Sequence, residues 1–317
     1  MEAGERHAPV LMEETFDLLR LRPGETYLDL TAGLGGHAAR AAQEVGPDGL
    51  VVLIDRDAES LRQAAEKVAR EGAPVRAAHG NYADLCAHLD ALGIDRVDVV
   101  LADLGLCAVQ LDTGRGMSFR DETSLDMRMD RSTGVTAEEY LNDVDEAELA
   151  RVLREYGDQP GAGRVARAVV AARRREPIRT AAQFAAIVAG SAPRPAGRSR
   201  THPATQAMMS LRMVVNAELP SLERMLPAAL ARLRVGGRMA FIAFHSGEAR
   251  LVKTFIDRMR GKCQCEPGAL DCRCGRERVV ESLTPRAVKP SAAEVSRSPL
   301  SRSAVLRAAA KTAPWPA

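Results

Sequence analysis

The sequence Asp29-Leu30-Thr31-Ala32-Gly33-Leu34-Gly35-Gly36-His37 is the part of this chain that most directly predicts its architecture. A short apolar run precedes it, and an alanine-rich segment with helical character follows it. A strand, a glycine turn and a helix in this order form a cradle for a cofactor, because glycines let the backbone touch a ligand and a helix start offers free N–H groups. We therefore expect the backbone of its glycines, Gly33, Gly35 and Gly36, to contact a cofactor.

The acid at the start of this stretch, Asp29, indicates which cofactor binds. A carboxylate at the end of the first strand would repel a pyrophosphate and would attract the ammonium group of an amino-acid-like ligand. This favours S-adenosylmethionine over a dinucleotide. The glycine spacing alone does not decide, since Gly33-x-Gly35-x-x-Ala38 also satisfies the loose dinucleotide fingerprint. An NAD-dependent oxidoreductase is therefore one alternative function.

Composition bounds the class of protein. The chain has 317 residues, 46% of them hydrophobic, which suffices for one large domain or two moderate ones. No apolar run is long enough for a membrane span, and the first residues lack the apolar core of a signal peptide. Six cysteines in so long a chain do not indicate a disulfide scaffold. We expect a cytoplasmic protein whose oligomeric state stays open, a homodimer included.

Positive charge is concentrated in residues 151–215. This window holds twelve arginines and three acidic residues, a net charge of +9, so the rest of the chain carries −7 of the overall +2. A basic module on an acidic body indicates a polyanionic partner, in the first place nucleic acid. The alternative is a set of solvated helix faces.

Alternating strand-like and helix-like segments predict a parallel sheet with crossover helices in the first hundred residues. Sheet character returns after a turn at Gly236-Gly237, and a tail beyond Ala308 is expected to fray. Gly72 and Gly93 are expected to end helices. The predicted strands are Thr26–Leu30, Leu50–Ile54, Val75–Ala78, Val97–Ala102, Arg238–Phe244 and Ser303–Arg307, with a helix at Glu248–Arg260.

Residues 110–205 are predicted to form a helical insertion, because strand signals stop near Leu106. Three helix starts have the spacing of a capping box. Gly157 and Gly190 are the expected stops of the helices that follow two of these starts, and residues 191–200 are an expected exposed loop. The three pairs are Thr136 with Glu139, Asp145 with Glu148, and Thr180 with Gln183.

Polar residues follow the other predicted strands. Asp55, after the second strand, is placed to accept hydrogen bonds from ribose hydroxyls, a device that NAD enzymes share. Tyr82, after the third, would lay its ring against an adenine or is simply a packed surface aromatic. Asp103-Leu104-Gly105 follows the fourth.

Asp103 is the candidate for chemistry. An exocyclic amine of a nucleobase is a poor nucleophile, because its lone pair is conjugated into the ring. A carboxylate that accepts from its N–H groups would favour the pyramidal, reactive form. The alternative is a strand-end cap or cofactor ligand without a chemical role.

Cysteines suggest two further sites. Cys263, Cys265, Cys272 and Cys274 place four thiols within twelve residues and could hold zinc, although structural sites usually space paired cysteines by two residues. The alternative is that these cysteines are reduced and bind no metal. The chemistry expected at Asp103 requires no metal. Cys107, four residues after Asp103, suggests covalent attack on a pyrimidine or only a small filler.

Motifs along nearly the whole chain resemble one bacterial family. They resemble the methyltransferase H family, S-adenosylmethionine-dependent enzymes that modify N4 of a cytidine in small-subunit (16S) ribosomal RNA. The Leu-Asp-Met-Arg-Met-Asp run is the most specific of these motifs. They are His7–Leu11, Gly35–His37, Asp103–Gly105, Gln110–Asp112, Arg115–Phe119, Leu125–Asp130, His202–Thr205, Phe244–Ser246 and Ser301–Arg307.

The resemblance implies a fold, a partner and a set of site residues. The fold is α/β, a Rossmann-like class I methyltransferase sheet at 1–109 and 206–317, with an inserted all-helical RNA-recognition domain at 110–205. The partner is 16S rRNA in the small ribosomal subunit. The implied cofactor contacts fall on Gly35, Gly36, His37, Asp55, Tyr82, Asp103 and Gln110.

Four segments depart from the family pattern. All four are expected near substrate, so a divergent RNA- or ribosome-binding protein with weak or altered methylation is the second alternative. They are Cys107–Val109, Gln206–Met209, Gly247–Arg250 and Ser298–Leu300.

Overall fold

The structure is a computed structural model that describes residues 9–105, 114–193, 202–263, 265 and 278–315. Its strands are β1 (Thr26–Asp29), β2 (Leu50–Asp55), β3 (Val75–His79), β4 (Val97–Asp103), β5 (Leu233–Ala243), β6 (Val280–Ser282) and β7 (Val305–Lys311). Its helices are α1 (Met12–Leu19), α2 (Gly36–Val45), α3 (Ala58–Arg70), α4 (Leu85–Ala91), α5 (Ala137–Asp143), α6 (Glu146–Glu155), α7 (Ala162–Arg173), α8 (Ala181–Ser191), α9 (Thr205–Val215), α10 (Glu218–Arg232), α11 (Ser246–Met259) and α12 (Ala292–Arg297).

The strands form one seven-stranded sheet in the order β3-β2-β1-β4-β5-β7-β6. Strands β1 to β5 pair in parallel, and β7 runs antiparallel between β5 and β6. The sequence of β2, Leu-Val-Val-Leu-Ile-Asp, is apolar on both faces because helices cover both sides of a parallel sheet. The predicted α/β Rossmann-like class is confirmed.

Two hydrophobic clusters lie on opposite faces of this sheet. Successive side chains of a strand point to opposite faces, so Tyr27 joins one cluster and Leu28 joins the other. Helices α2 and α3 contribute Ala41 and Leu61 to the Tyr27 cluster. Helices α4, α10 and α11 cover the face of Leu28. This packing fixes the sheet from which the strand ends emerge.

The chain divides into two compact units. One unit contains residues up to Gly105 and from Leu219 onward, and the other contains Leu106–Glu218. The second unit has its own core, in which Phe184 of α8 and Leu211 of α9 are buried together. The boundary expected between residues 205 and 206 therefore falls inside α9, because that helix packs with the helical unit.

Most predicted helix ends are confirmed. Thr136 and Thr180 each form a capping box with the residue three positions later, and Asp145 accepts from the backbone N–H of Glu148. Gly72 and Gly93 adopt φ values of +87° and +69° just after α3 and α4. These local signals were readable because a cap involves only neighbouring residues.

The two remaining predicted stops have different outcomes. Helix α8 continues through Gly190 to Ser191. Helix α6 ends at Glu155, so the stop predicted at Gly157 is confirmed. Gly157 has no positive φ, however, and a Cβ atom there would overlap the Ser210 hydroxyl and lie 2.5 Å from the Gln206 carbonyl oxygen. Gly157 is therefore needed for the close approach of α9, a reason that helix periodicity does not reveal.

The sheet also extends beyond the predicted strands. Strand β5 begins at Leu233, so Gly236-Gly237 lies within an irregularity of the strand and not before it. Strand β7 reaches Lys311, and Trp315 packs against the Leu28 face, so the expected fraying beyond Ala308 was wrong. The three-residue β6 was not predicted because so short a strand has no periodic signal.

The Leu125–Asp130 run has a structural task in the helical unit. Asn216, which caps the C-terminal end of α9, donates from its side chain to the Met127 carbonyl and accepts from the Met129 N–H, both at 2.8 Å. Asp126, 8% exposed, binds the Arg128 guanidinium through both carboxylate oxygens. Hydrogen bonds to α9 and an internal ion pair thus hold this run in place.

Across the described ranges, no helix has the length and apolarity needed to cross a membrane.

Replacing Gly157 by alanine is expected to destabilise the protein. The added Cβ would overlap α9, so Gly157→Ala should lower the free energy of unfolding by about 1–3 kcal/mol. Gly163 in α7 has no atom within 4 Å of a built Cβ, and Gly163→Ala should raise it by up to about 1 kcal/mol. Urea denaturation followed by circular dichroism measures both. Equal stability of the two variants would contradict the close-approach explanation.

Candidate active site at the carboxyl edge of the sheet

Three carboxylates end three adjacent strands. Asp29, Asp55 and Asp103 are the last residues of β1, β2 and β4, and β1 lies between the other two. The carboxyl ends of parallel strands share one edge of the sheet, which is where open α/β sheets bind ligands. The structure therefore brings together the acids that the sequence placed at separate strand ends.

Asp55 holds the glycine loop in place. Its Oδ2 accepts from the Gly33 N–H at 2.7 Å, and its Oδ1 accepts from the Asp57 N–H at 2.8 Å. Gly33 adopts a φ of +50°, a left-handed conformation that glycine adopts readily. The Arg56 backbone N–H also donates to this carboxylate, which leaves one of its four lone pairs for a ligand hydroxyl. Asp55 can therefore fix the loop and bind a ribose together.

Gly35 and Gly36 also make room for protein neighbours. A Cβ atom on Gly35 would lie 2.9 Å from the Ala64 Cα of α3, and one on Gly36 would overlap the Pro9 ring. The N-cap residue of α2 is Gly35, which has no side chain to cap the helix, so among the described residues the first N–H groups have no local cap and form a position suited to an anionic ligand group. These glycines are thus required for packing, whether or not a cofactor touches them.

Asp29 is buried beneath the loop. Its side chain is 2% exposed and accepts from the Tyr27 hydroxyl at 3.2 Å and from the Thr31 N–H at 3.1 Å. Burial raises the pKa of Asp29 to about 7, and the nearby Asp103 contributes to this rise. Asp29 therefore acts on the site through its charge, since it has almost no exposed surface for direct contact with a ligand ammonium.

Asp103 keeps part of its carboxyl group at the surface. Its side chain is 23% exposed, and Gly105 N–H lies 3.4 Å from its Oδ1. The Asp103 backbone N–H donates to the Thr31 hydroxyl at 2.7 Å, which ties β4 to the glycine loop. Burial of most of the side chain raises the pKa of Asp103 to about 7. Asp103 can therefore exchange a proton with a substrate at neutral pH.

The His37 side chain belongs to the interior. It is 6% exposed, and its Nε2 lies 3.1 Å from the Val10 carbonyl oxygen. Burial lowers the pKa of His37 to about 4, so the ring is neutral at pH 7. The cofactor contact expected at His37 would therefore come from its backbone at the start of α2.

The remaining predicted cofactor residues are less defined. Tyr82 lies in a 3₁₀ turn after β3 and packs, partly buried, against the Leu28 face. Gly80 donates to the Asp55 carbonyl at 2.9 Å, so this turn starts beside β2. An adenine contact at Tyr82 stays a prediction. Gln110 and Cys107 lie outside the described residues, and so do Cys272 and Cys274.

Sequence reasoning missed two residues of this site. Tyr27 supports Asp29 from two positions away on the same face of β1, a spacing that the alternation of a strand makes readable. Thr31 joins the loop to Asp103 across 72 residues of sequence, which no local pattern shows. Among the described residues, which include Cys263 and Cys265, no group of three or more His, Cys, Asp or Glu forms a metal site. A four-cysteine site stays a prediction.

The sheet order with an antiparallel β7, together with acids at the ends of β1, β2 and β4, defines a Rossmann-like class I methyltransferase. Its family follows from sequence comparison. The chain belongs to the MraW methylase family, whose model matches residues 4–312.

Curated relatives are similar over nearly their whole length. Three of them, from different bacteria, share the name ribosomal RNA small subunit methyltransferase H. The protein from Pelobacter propionicus is 44% identical over 90% of this chain and 92% of its own. The one from Syntrophotalea carbinolica is 45% identical over 90% and 91%. The one from Nitratidesulfovibrio vulgaris is 43% identical over 97% and 86%.

The buried Asp29 predicts a specific pH dependence of stability. Its raised pKa means that the folded state keeps a proton that the unfolded state releases above about pH 4, so this contribution to stability is lost as pH rises towards 7. Asp29→Asn removes the loss. Its free energy of unfolding relative to wild type should rise by roughly 1–3 kcal/mol between pH 5 and pH 8.

The measurement is urea denaturation at each pH, without added ligand. Asp17 is an exposed acid on α1, and Asp17→Asn serves as the control that follows wild type. Parallel pH profiles for wild type and Asp29→Asn would contradict the assignment.

Proposed function

We propose that this protein transfers a methyl group from S-adenosylmethionine to N4 of a cytidine in the 16S rRNA of the small ribosomal subunit. The observation that carries the proposal is the partly exposed Asp103 carboxyl at the end of β4, beside the glycine loop. The names of the curated relatives support ribosomal RNA as the substrate. The cytoplasm, where ribosomal subunits are assembled, is the proposed location.

The chemistry of the loop fits S-adenosylmethionine. The remaining lone pair of Asp55 suits a ribose hydroxyl, and the N-terminal N–H groups of α2 suit a carboxylate. The negative charge of Asp29 and Asp103 suits a cation. A pyrophosphate would meet the same two carboxylates, which disfavours NAD. When bound, S-adenosylmethionine supplies an activated methyl group on a positively charged sulfur.

The protein's own contribution is alignment and proton acceptance. Asp103 accepts a hydrogen bond from the target amine, which keeps the nitrogen lone pair directed at the methyl group. The Thr31 contact fixes the backbone of Asp103 during the reaction. The methylated amine then carries one proton too many, and the Asp103 carboxylate is the group placed to take it. No covalent protein intermediate and no metal are needed.

The helical unit offers cations for RNA. Its Arg151, Arg173 and Arg212 are occupied by Glu148, the Leu141 carbonyl and Glu218, respectively. Five other arginines are at least partly exposed and have no side-chain partner among the described residues, so they are free to bind phosphates. They are Arg154, Arg164, Arg174, Arg175 and Arg179.

A non-catalytic RNA-binding protein is the second candidate function. The segments that depart from the family pattern favour it, and Cys107–Val109, next to Asp103 in sequence, is the most relevant of them. Such a protein would bind the ribosomal subunit without transferring a methyl group. The two functions differ in whether the wild-type protein methylates the subunit and whether that methylation depends on Asp103.

Substitution of Asp103 is expected to abolish most methyl transfer. With unmodified small-subunit particles and labelled S-adenosylmethionine, Asp103→Ala should lower the rate by about 100-fold or more, because the proton acceptor is lost. Asp95 is 86% exposed just before β4, and Asp95→Asn is the control expected to stay active. The label should lie on N4. Label on carbon, or equal rates for wild type and Asp103→Ala, would contradict the proposal.

Removing free arginines should weaken the salt dependence of RNA binding. Arg174→Gln with Arg175→Gln should reduce the slope of log Kd against log salt by roughly 1–2, since each phosphate contact releases counterions. The control, Arg62→Gln with Arg151→Gln, loses the same charge from arginines paired with glutamates. Identical slopes for both double variants would exclude this surface.

A further inference from the structure

The His37 ring is held by three contacts on one side of the glycine loop. Its Nε2 lies 3.1 Å from the Val10 carbonyl oxygen, and its plane stacks on Phe16 at 15° with 6.5 Å between ring centroids. Its second nitrogen, Nδ1, lies 3.9 Å from Oδ2 of Asp103. The ring therefore links the N-terminal segment to the end of β4.

The Val10 contact determines which nitrogen carries the proton. A carbonyl oxygen only accepts hydrogen bonds, so Nε2 is the protonated nitrogen of the neutral ring. Nδ1 then presents a lone pair towards Asp103. This lone pair repels an ionised carboxylate and attracts a carboxylic acid, whose O–H can donate to it.

We propose that His37 is a positioning residue for the reaction, whose Nδ1 accepts a hydrogen bond from Oδ2–H of Asp103 once Asp103 has taken the proton of the methylated amine. The inference rests on the proposed function and names how the proton acceptor of that site works. A shortening of about 1 Å brings the 3.9 Å separation within hydrogen-bonding distance. His37 itself touches neither the cofactor nor the base through its ring.

The proton and electrons balance without a further reactant. The bond between the methyl carbon and sulfur breaks and its electron pair stays on sulfur, while the amine lone pair forms the new N–C bond. The positive charge passes to the nitrogen. The electrons of one N–H bond then return to that nitrogen, and its proton moves to Oδ2 of Asp103. Solvent receives the proton after the product leaves.

The surroundings of the pair favour the protonated acid. The ionisable groups facing it are Asp29 and Tyr27 of β1, and Asp55 of β2 faces Asp29. Burial raises the pKa of Asp103 to about 7 and lowers that of His37 to about 4. With these two pKa values, the Asp103 carboxyl can gain or lose a proton near neutral pH while the His37 ring stays neutral.

Two variants of His37 separate its two nitrogens. Glutamine places an amide nitrogen where Nε2 lies and can still donate to Val10, but offers no acceptor at the position of Nδ1. Asparagine places an amide oxygen near the position of Nδ1 and is too short to reach Val10. Both variants lose the ring stacking on Phe16.

The rate of methyl transfer should respond to the lost acceptor. His37→Gln should lower kcat by about tenfold or more and move the acid limb of the pH–kcat profile to lower pH. His37→Asn should recover most of kcat, and KM for S-adenosylmethionine should change little in either variant. Equal kcat values and equal acid limbs in the two variants would overturn the proposal.

A second measurement needs neither cofactor nor RNA. In the wild-type protein, ¹⁵N NMR should show Nε2 protonated and Nδ1 bare, and ¹³C NMR should show the Asp103 carboxyl titrating at higher pH in wild type and His37→Asn than in His37→Gln. A protonated Nδ1, or an Asp103 titration unaffected by His37→Gln, overturns the inference. A wild-type protein that passes this test but fails to methylate 16S rRNA instead contradicts the proposed function.

Discussion

The hydrogen bond from the Gly33 N–H to the Asp55 carboxylate holds the site together. It joins the loop after β1 to the end of β2. This hydrogen bond therefore fixes the path of the backbone from the loop into α2. That course places Gly36 against Pro9 and His37 beside Val10. On the other side of the loop, the Thr31 hydroxyl accepts a hydrogen bond from the backbone N–H of Asp103. One loop thus sets the relative positions of all three strand-end acids.

This arrangement concentrates negative charge where water is largely excluded. Asp29 and Asp103 have raised pKa values because burial disfavours their charged forms, and Asp103 additionally raises the pKa of Asp29. Hydrogen bonds from Thr31 and Tyr27 offset part of this cost at Asp29. A cationic ligand would offset more of it, because it favours the ionised carboxylates. The electrostatics therefore select for a positively charged cofactor more strongly than the glycine spacing does.

Some charged residues of the helical unit form ion pairs within it, and others are exposed to solvent. Arg128 and Asp126 bind each other within the Leu125–Asp130 run, while Asn216 anchors that run to α9. Arg212 is likewise bound to Glu218. The exposed arginines of α7 and the segment after it remain in solvent. A motif that is highly specific for a family can therefore serve the core, while less distinctive arginines are the ones available to RNA.

Strands β1 to β4, the glycine loop and the acids at the strand ends could all be predicted before the fold was known. They are encoded in short apolar runs and in residues adjacent along the chain, as are the caps at Thr136 and Thr180. The burial of Asp29, the partial exposure of Asp103 and the contact of Gly157 with α9 became visible only in the folded chain. The same is true of the occupied arginines and of the approach of His37 to Asp103. These properties depend on contacts between residues far apart in sequence, and burial and partner choice exist only once those residues have been packed together.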